Sequence, residues 1–279
     1  MEITENNRDM ASNNNTDKVP QVQALQESMT SIKHKFLVMS SQGGVGKTCV
    51  IVSLALSLAK KRMKVGLLDA NFYGPDIHTM LGLEPAVARN SDKQFIPLPY
   101  SDNLKVASID SLMLDIDETG VWGKPLKIVD VRRFISSVNW GSLDYLFVDT
   151  PSAPGEGLLT VIRAIPQAKT IIVTAPNKIS GECAKNMINF FRKEKMPIFG
   201  WIENMCGFLC QNCGKRQDLF STGPGSRAVF LLDIPFLGRI PIDPHMGACA
   251  DAGDLFLERH PESEVAQACN LIIEKIKGG

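Results

Sequence analysis

The sequence of 279 residues lacks a long apolar run, and no stretch reaches the roughly 20 apolar residues of a membrane-spanning helix. It also lacks net charge, because 30 Lys and Arg residues balance 30 Asp and Glu residues. This balance argues against a broad electrostatic surface for nucleic acid or an anionic membrane. The polar N-terminus has no apolar segment typical of a secretory signal. We therefore expect a cytoplasmic protein without nucleic-acid or membrane partners.

The cysteine pattern of a secreted protein is also missing. Seven cysteines, an odd number in a chain of this length, indicate reduced thiols or metal ligands and not a disulfide framework. The four histidines are dispersed without metal-ligand spacing, and solvent or loop positions are expected for them. Neither a G-x-S-x-G nor an H-E-x-x-H motif occurs, so the sequence has no signature of a serine hydrolase or a helical zinc protease.

The chain divides into a polar tail and one folded domain. Residues 1–33 are predicted to be a disordered or partly helical tail, with any short helix over 21–33. From residue 34, apolar runs without strict alternation are separated by amphipathic segments, a pattern typical of buried parallel strands with crossover helices. We expect a single α/β domain over 34–279, with a mostly parallel twisted sheet flanked by helices on both faces. The predicted strands are 35–40, 64–70, 104–109, 143–150, 169–175, 197–203 and 235–240.

The stretch QGGVGKT at 42–48 lies between a predicted strand and a predicted helix, which is the context of a phosphate-binding loop. Its glycines let backbone amides turn toward an anion, and the start of the helix adds a positive end. Lys47 is expected to contact the outer phosphates of ATP, and the Thr48 hydroxyl to ligate Mg²⁺. A chance Gly-rich turn is the alternative, which the flanking elements disfavour. The predicted nucleotide-binding residues of this loop are Gly43, Gly44, Val45, Gly46, Lys47 and Thr48.

The doubled glycine, with Ser41 where the general pattern has Gly, resembles the deviant Walker A loop of the MinD/Mrp group of P-loop ATPases. Further segments resemble the Mrp family in the same order. They are VGLLDANFYGPDIHTMLGL (65–83), VWGKPL (121–126) with VNWGSLDYLFVDTPSAPGEG (138–157), VTAPNKISGECAKNMINFFRKEKMPIFGWIENMCGFLCQNCG (173–214) and GRIPIDPHMGACADAG (238–253). The resemblance extends from about residue 34 to residue 275. It implies an Mrp/ApbC/Nbp-type carrier that binds ATP and Mg²⁺ and passes a labile iron–sulfur cluster to apo-proteins.

Two positions depart from the family where the resemblance implies a role in hydrolysis. Gln42 replaces a Lys that in the family reaches the partner's nucleotide, and an amide cannot neutralise developing charge. Asn71 replaces an Asp two residues after Asp69, and it can orient water but cannot accept a proton. Asp149, which ends an apolar strand, is expected to hold the water shell of Mg²⁺. We interpret Gln42, Lys47, Asp69 and Asn71 as the catalytic positions of a slow or partner-dependent ATPase, with neutral drift as the alternative.

The resemblance also places the nucleotide base, near Asn204 and the segment from Pro241 to Asp243. The Asn204 amide can pair with the N6 and N7 edge of adenine. An Asn that caps a loop is the alternative interpretation.

Cys210 and Cys213 form a C-x-x-C-G knuckle, in which two thiolates can hold one metal. Zinc or an iron–sulfur cluster usually takes four ligands, and the sequence has no second C-x-x-C or C-x-x-H. A two-fold dimer would supply the missing pair. This agrees with the resemblance, which implies one [4Fe–4S] cluster bridging a homodimer or a heterodimer with a related ATPase. Zinc bound by four thiolates and plain structural cysteines are the alternatives, and Cys206 is an additional candidate ligand or transfer thiol.

Three functions are therefore compared. The first is an ATP-binding iron–sulfur cluster carrier, and the second is a nucleotide-dependent regulatory or interaction module with zinc or no metal at the knuckle. The third, a MinD/ParA-like positioning ATPase, is disfavoured by the knuckle and by the weak amphipathicity of residues 265–279, which are expected to form the last helix of the fold.

Overall fold

The computed structural model describes residues 29–40, 42–112, 128–152, 155–210, 213, 215–219 and 233–279. Eight of its strands form one sheet, in which all neighbours are parallel except one antiparallel pair at an edge. In spatial order these strands are β10 (Phe236–Arg239), β7 (Ile198–Glu203), β6 (Lys169–Thr174), β1 (Ile32–Ser40), β5 (Leu143–Asp149), β2 (Val65–Asp69), β4 (Leu104–Ser108) and β3 (Leu98–Ser101). The predicted mostly parallel α/β sheet is confirmed.

Helices cover both faces of the sheet, as predicted. They are α1 (Lys47–Lys60), α2 (Ile77–Met80), α3 (Ile128–Ser137), α4 (Glu156–Ala164), α5 (Lys178–Lys193), α6 (Pro244–Asp251), α7 (Phe256–Arg259) and α8 (Glu264–Gly278). Successive residues of β1 enter two different cores, because side chains alternate across a strand. Phe36 and Val38 join the core beneath α1 and α8, whereas Leu37 and Met39 join the core beneath α3, α4 and α5.

The structure differs from the sequence predictions at a few elements. Strand β1 begins at Ile32, and both Met29 and Ile32 are buried, so the fold starts before the predicted boundary at residue 34. The antiparallel strand β3 was not predicted, because it is short and contains Pro99, which an edge strand tolerates. His78 is buried and not in solvent. The predicted tail up to residue 28 and the segment 121–126 lie outside the described residues.

The strand order brings the polar ends of three strands to one edge of the sheet. In the parallel register, Val38 of β1 lies opposite Asp149 of β5, and Asp69 of β2 lies opposite Asp149 from the other side. The loop that follows β1 therefore leaves the sheet beside both carboxylates. Ligands of open α/β sheets bind at this carboxyl edge. Within the described part of the chain, no helix is long and apolar enough to span a bilayer.

Candidate nucleotide site and cysteine knuckle

The loop after β1 has the backbone of an anion-binding turn. Gly44 and Gly46 both have φ +76°, in the left-handed region that glycine adopts at little cost. A Cβ built on Gly43 or Gly44 would meet no atom within 4 Å, so open space lies beside the loop. Gly46 is the N-cap of α1 and forms no side-chain cap hydrogen bond. The amides of the first turn are thus suited to receive a phosphate.

Lys47 and Thr48 converge on the carboxylate of Asp149. The Lys47 ammonium forms a salt bridge with Asp149 Oδ1, and the Thr48 hydroxyl donates to Asp149 Oδ2 at 2.7 Å. The side chains of Lys47 and Asp149 are only 5% and 1% exposed. Burial lowers the pKa of Lys47 to about 8, against the attraction of Asp69 and Asp76. The three groups expected to hold phosphate and Mg²⁺ therefore lie together, with Lys47 and Thr48 both contacting Asp149.

Asp69 holds the loop that follows β2. Its carboxylate accepts hydrogen bonds from the backbone N–H groups of Asn71 at 3.1 Å, Asp76 at 3.0 Å and Ile77 at 3.1 Å. Burial raises the pKa of Asp69 to about 6, although the amides of Ile77 and Asn71 and the Lys47 ammonium act in the opposite direction. The Asn71 side-chain amide donates to the Gly74 carbonyl at 2.8 Å. Asp69 thus has a loop-holding role here, and the catalytic roles of Asp69 and Asn71 stay predictions.

Gln42 is anchored within its own chain. Its Oε1 accepts a hydrogen bond from the Ser180 hydroxyl at 2.9 Å. Ser180 is buried in the first turn of α5, where its N–H donates to the side chain of the N-cap residue Asn177 at 2.8 Å. Gln42 is therefore tied to α5, and its catalytic role stays a prediction.

Asn204 lies against the phosphate loop. Its side-chain Nδ2 donates to the Val45 carbonyl at 2.9 Å, and its backbone N–H donates to the Thr174 carbonyl at 2.8 Å. A Cβ on Gly46 would lie 2.4 Å from the same Nδ2 atom. The structure thus brings Asn204 to the loop, 159 residues away from Val45 in sequence. Its contact with a base stays a prediction.

The segment from Pro241 to Asp243 lies beside the residues that follow Asn204. The Cys206 N–H donates to the Ile240 carbonyl, and the Ile242 N–H donates to the Gly207 carbonyl, both at 2.9 Å. Asp243 is the N-cap of α6, and its Oδ1 accepts from the His245 N–H at 3.0 Å. The two segments predicted to surround the base therefore lie next to each other.

The knuckle is a small hairpin outside the main sheet. Strands β8 (Phe208–Leu209) and β9 (Arg216–Gln217) pair antiparallel, and the Cys210 N–H donates to the Lys215 carbonyl at 3.0 Å. Cys210 is half-buried and Cys213 is exposed. No cluster of three or more His, Cys, Asp or Glu side chains suited to a metal occurs among the residues that the structure describes. One chain thus offers two thiols at this place, as the sequence predicts.

The other cysteines lie where small core or surface residues are expected. Cys49 and Cys183 are half-buried, and Cys269 is fully buried. Burial raises the pKa of the Cys269 thiol to about 12. Cys249 of α6 and Cys206 are both buried, so neither is presented to solvent with Cys213.

The comparison with protein families identifies the chain. The model of the NUBPL iron-transfer P-loop NTPase family matches residues 31–277. The chain belongs to this family. It is 38% identical over 257 residues to the iron-sulfur cluster carrier protein of Methanocaldococcus jannaschii, covering 91% of this chain and 89% of that protein. It is 35% identical to the cytosolic Fe-S cluster assembly factor Nubp2 homolog of Anopheles gambiae, covering 89% of this chain and 98% of that one.

Solved structures of P-loop proteins share the fold of this family member. A nucleotide-binding protein from Archaeoglobus fulgidus, in complex with ADP, superimposes with a TM-score of 0.71 at 34% identity, covering 83% of this chain and 90% of that chain. The septum site-determining protein MinD of Pyrococcus horikoshii, complexed with Mg-ADP, gives a TM-score of 0.63 at 20% identity, covering 88% and 96% of the two chains. The second likeness concerns the fold alone.

Sequence reasoning missed several residues that shape the site. Ser180 and Asn177 follow the end of β6, where the pattern of an N-cap after a strand could have marked them. The buried Glu203 forms an ion pair with the exposed Arg239 at the root of the knuckle, with Arg239 Nε 2.9 Å from Glu203 Oε2. These two residues end neighbouring strands, and nothing in their sequence spacing indicates the contact.

Proposed function

We propose that this chain is an ATP-binding iron–sulfur cluster carrier. In this proposal a labile [4Fe–4S] cluster is bound between the Cys210 and Cys213 pairs of two chains and is passed to apo-proteins. The main support is the combination, in one family member, of a phosphate loop with a two-thiol hairpin. Relatives at 35–38% identity carry the names iron-sulfur cluster carrier protein and Fe-S cluster assembly factor.

For the nucleotide, the residues present fit ATP and Mg²⁺. The Gly43–Gly46 turn and the first amides of α1 would hold the phosphates, with Lys47 on the outer ones. Thr48 would ligate Mg²⁺, and Asp149 would hold its water shell. Lys47 and Thr48 both contact Asp149, so the groups proposed for phosphate and for metal lie together. Mg²⁺ would supply positive charge for the developing phosphate charge. Asn204, Pro241 and Asp243 would surround the base.

Hydrolysis would be slow in one chain, or dependent on a partner. Gln42 carries no charge and is hydrogen-bonded to Ser180 of its own chain. Asn71 cannot accept a proton, and its amide is engaged with Gly74. A related ATPase with a Lys at the position of Gln42 could supply the missing cation in a heterodimer. A homodimer would lack this cation at both nucleotides.

The cluster is cargo in this proposal, and two chains are needed to hold it. Each knuckle provides two thiols, and the exposure of Cys213 leaves it accessible to a second chain. Four thiolates complete a cubane site. A cluster held across an interface can be released when the two chains separate, which suits a carrier.

The decisive test is anaerobic reconstitution with iron and sulfide, followed by absorbance and Mössbauer spectra. We expect a cubane signal with about two irons per chain, since four irons are shared by two chains. The double variant Cys210→Ala/Cys213→Ala should lose it. The half-buried helical Cys183→Ala is the matched control and should retain it. If wild type holds zinc or no metal while still binding ATP, the nucleotide-dependent interaction module replaces this proposal.

A further inference from the structure

The turn between β7 and the knuckle contains a thiol that faces the protein interior. Cys206 is 5% exposed, four residues before Cys210 in sequence. Its Sγ lies 3.2 Å from the Glu203 carbonyl, 3.2 Å from Glu203 Oε2 and 3.9 Å from the Asn204 carbonyl. All three neighbours are acceptors, so the thiol is placed as a hydrogen-bond donor.

Glu203 links this thiol to the edge strand of the sheet. The Glu203 side chain is buried at the end of β7, and its Oε2 accepts from Arg239 Nε at 2.9 Å. Arg239 lies opposite Glu203 in the register of β10 and β7. A buried carboxylate needs such partners, because an unpaired one would be costly. Cys206, Glu203 and Arg239 therefore form one connected polar group, which we call the root cluster.

The backbone of Cys206 is held as firmly as its side chain. Its N–H donates to the Ile240 carbonyl at 2.9 Å, and its carbonyl accepts from the Arg216 guanidinium of β9 at 3.3 Å. The flanking residues Met205 and Gly207 have φ +63° and φ +77°, so the chain turns sharply on both sides. Cys206 thus joins the end of β7 to the hairpin that carries the knuckle.

Metal ligation would require this thiol to lose its proton. A cysteine ligand is a thiolate, and burial together with the Glu203 carboxylate raises the pKa of the Cys206 thiol far above its usual range. A thiolate at this place would lie 3.2 Å from a carboxylate oxygen. To ligate an iron–sulfur cluster, Cys206 would have to break its contact with Glu203 and leave the root cluster.

We infer that Cys206 is a positioning residue of the knuckle, which donates its S–H to Glu203 and does not ligate the cluster. The inference adds to the proposed function. Its statement about the iron–sulfur cluster rests on that proposed function. It replaces the expectation that Cys206 is an additional ligand or a transfer thiol. It also predicts that a hydroxyl can substitute for the thiol, because Ser offers a donor of similar size, whereas Ala cannot.

The first arm of the test uses the metal-free full chain and hydrogen exchange. In Cys206→Ala, amides of residues 204–210 and 215–217 should exchange about fivefold faster, because the lost hydrogen bond lowers the local opening free energy. Cys206→Ser should exchange as wild type does. Equal exchange in all three proteins would overturn the inference, whether or not the chain carries a cluster.

The second arm uses the reconstituted dimer and follows loss of cluster absorbance in the presence of an iron chelator. We expect Cys206→Ser to bind as much iron as wild type, and Cys206→Ala to lose its cluster about fivefold faster. Loss of iron binding in Cys206→Ser, as in Cys210→Ala, would show ligation and overturn the inference. If wild type binds no cluster, the proposed function fails and the first arm alone decides the role of Cys206.

A second variant keeps the test decisive if Cys206→Ala does not fold. Arg216 is exposed and anchors the Cys206 carbonyl, so Arg216→Ala removes one support of the same turn without opening a core position. We expect faster exchange of the same amides, with iron content unchanged. Unchanged exchange in Arg216→Ala would contradict the view that this turn is held through Cys206.

Discussion

The short segment 204–207 contacts the phosphate loop through Asn204 and the knuckle hairpin through Cys206, and these two regions are built differently. The loop leaves the middle of an eight-stranded sheet, and its charged residues Lys47 and Asp149 are buried with partners already in place. The knuckle belongs to a hairpin with two-residue strands, and Cys213 is exposed. In the first region the predicted nucleotide-binding groups lie within one chain. The second region offers two thiols, and the proposed four-thiolate site would need a second chain.

The largest expected effect is a loss of ATP affinity on substitution of Lys47, which tests whether the two regions function independently. In Lys47→Ala, ATP affinity should fall about 100-fold, since a hydrogen bond between charged groups contributes up to about 3 kcal/mol. Iron uptake at the knuckle should not change. Calorimetric titration measures the first quantity and iron analysis the second.

The control for this variant is Lys61→Ala, which removes an exposed Lys paired with Glu274 at the end of α1. Lys61→Ala should alter neither ATP affinity nor iron uptake. Because Lys47→Ala leaves Asp149 buried without its salt bridge, urea unfolding must show that the variant is folded. A folded Lys47→Ala chain that no longer binds iron would contradict the prediction that the two regions function independently.

The next largest effect is the pH dependence of stability that the buried carboxylate of Asp69 contributes. The folded pKa of Asp69 is about 6, above its ordinary value of 3.8, so the folded chain binds this proton more tightly than the unfolded chain does. The corresponding stability is present below pH 3.8 and is lost as pH rises through 6. Relative to Asp69→Asn, wild type should lose about 2–3 kcal/mol of unfolding free energy across this range.

Urea unfolding of both proteins at several pH values between 4 and 7 provides the measurement. The same comparison with Asp144→Asn is the control, because the Lys33 ammonium lowers the pKa of that partly exposed carboxyl and reverses the sign. Parallel pH curves for wild type and Asp69→Asn would show that burial does not perturb Asp69.

A smaller effect is expected at the position where the chain departs from its family. Gln42→Lys should raise steady-state ATP hydrolysis about tenfold, because a cation would be available to stabilise transition-state charge. Gln42→Ala removes the hydrogen bond to Ser180 without adding charge, and it should leave turnover unchanged. Phosphate release is the measurement. An equal rate in wild type, Gln42→Lys and Gln42→Ala would show that Gln42 does not limit hydrolysis, and Asn71 would be the next candidate.

The smallest effect tests how the loop contacts Asn204. Gly44 and Gly46 share φ +76°, but only a Cβ on Gly46 would collide with the Asn204 amide. Both Ala variants should lose about 1 kcal/mol of stability through backbone strain, and Gly46→Ala about 1 kcal/mol more. In an Asn204→Ala background this difference should disappear. A difference that persists would place the collision at another atom.

The sequence predicts the central sheet well, because its strands are continuous apolar runs buried on both faces. The seven predicted strands are all present within a few residues, whereas β3 and the hairpin strands are too short to be recognised. The last helix of the fold, predicted within residues 265–279, is present as Glu264–Gly278.

The site was only partly predictable from the sequence. Local spacing marks the phosphate loop and the knuckle, because their residues are neighbours in the chain. The contacts of Gln42 with Ser180 and of Asn204 with Val45 join residues 138 and 159 positions apart. They depend on strand order, which spacing does not specify. The contact of Cys206 with Glu203 is also not indicated by the sequence, because the spacing of Cys206 from Cys210 suggests a ligand.

The most direct test of this account is native mass spectrometry of the anaerobically reconstituted protein with ATP. We expect two chains carrying one four-iron, four-sulfide cluster, and up to one ATP on each chain. Cluster-free protein should still bind ATP. A single chain that carries the cluster or a zinc ion by itself would contradict the claim that the knuckle is half of a shared site.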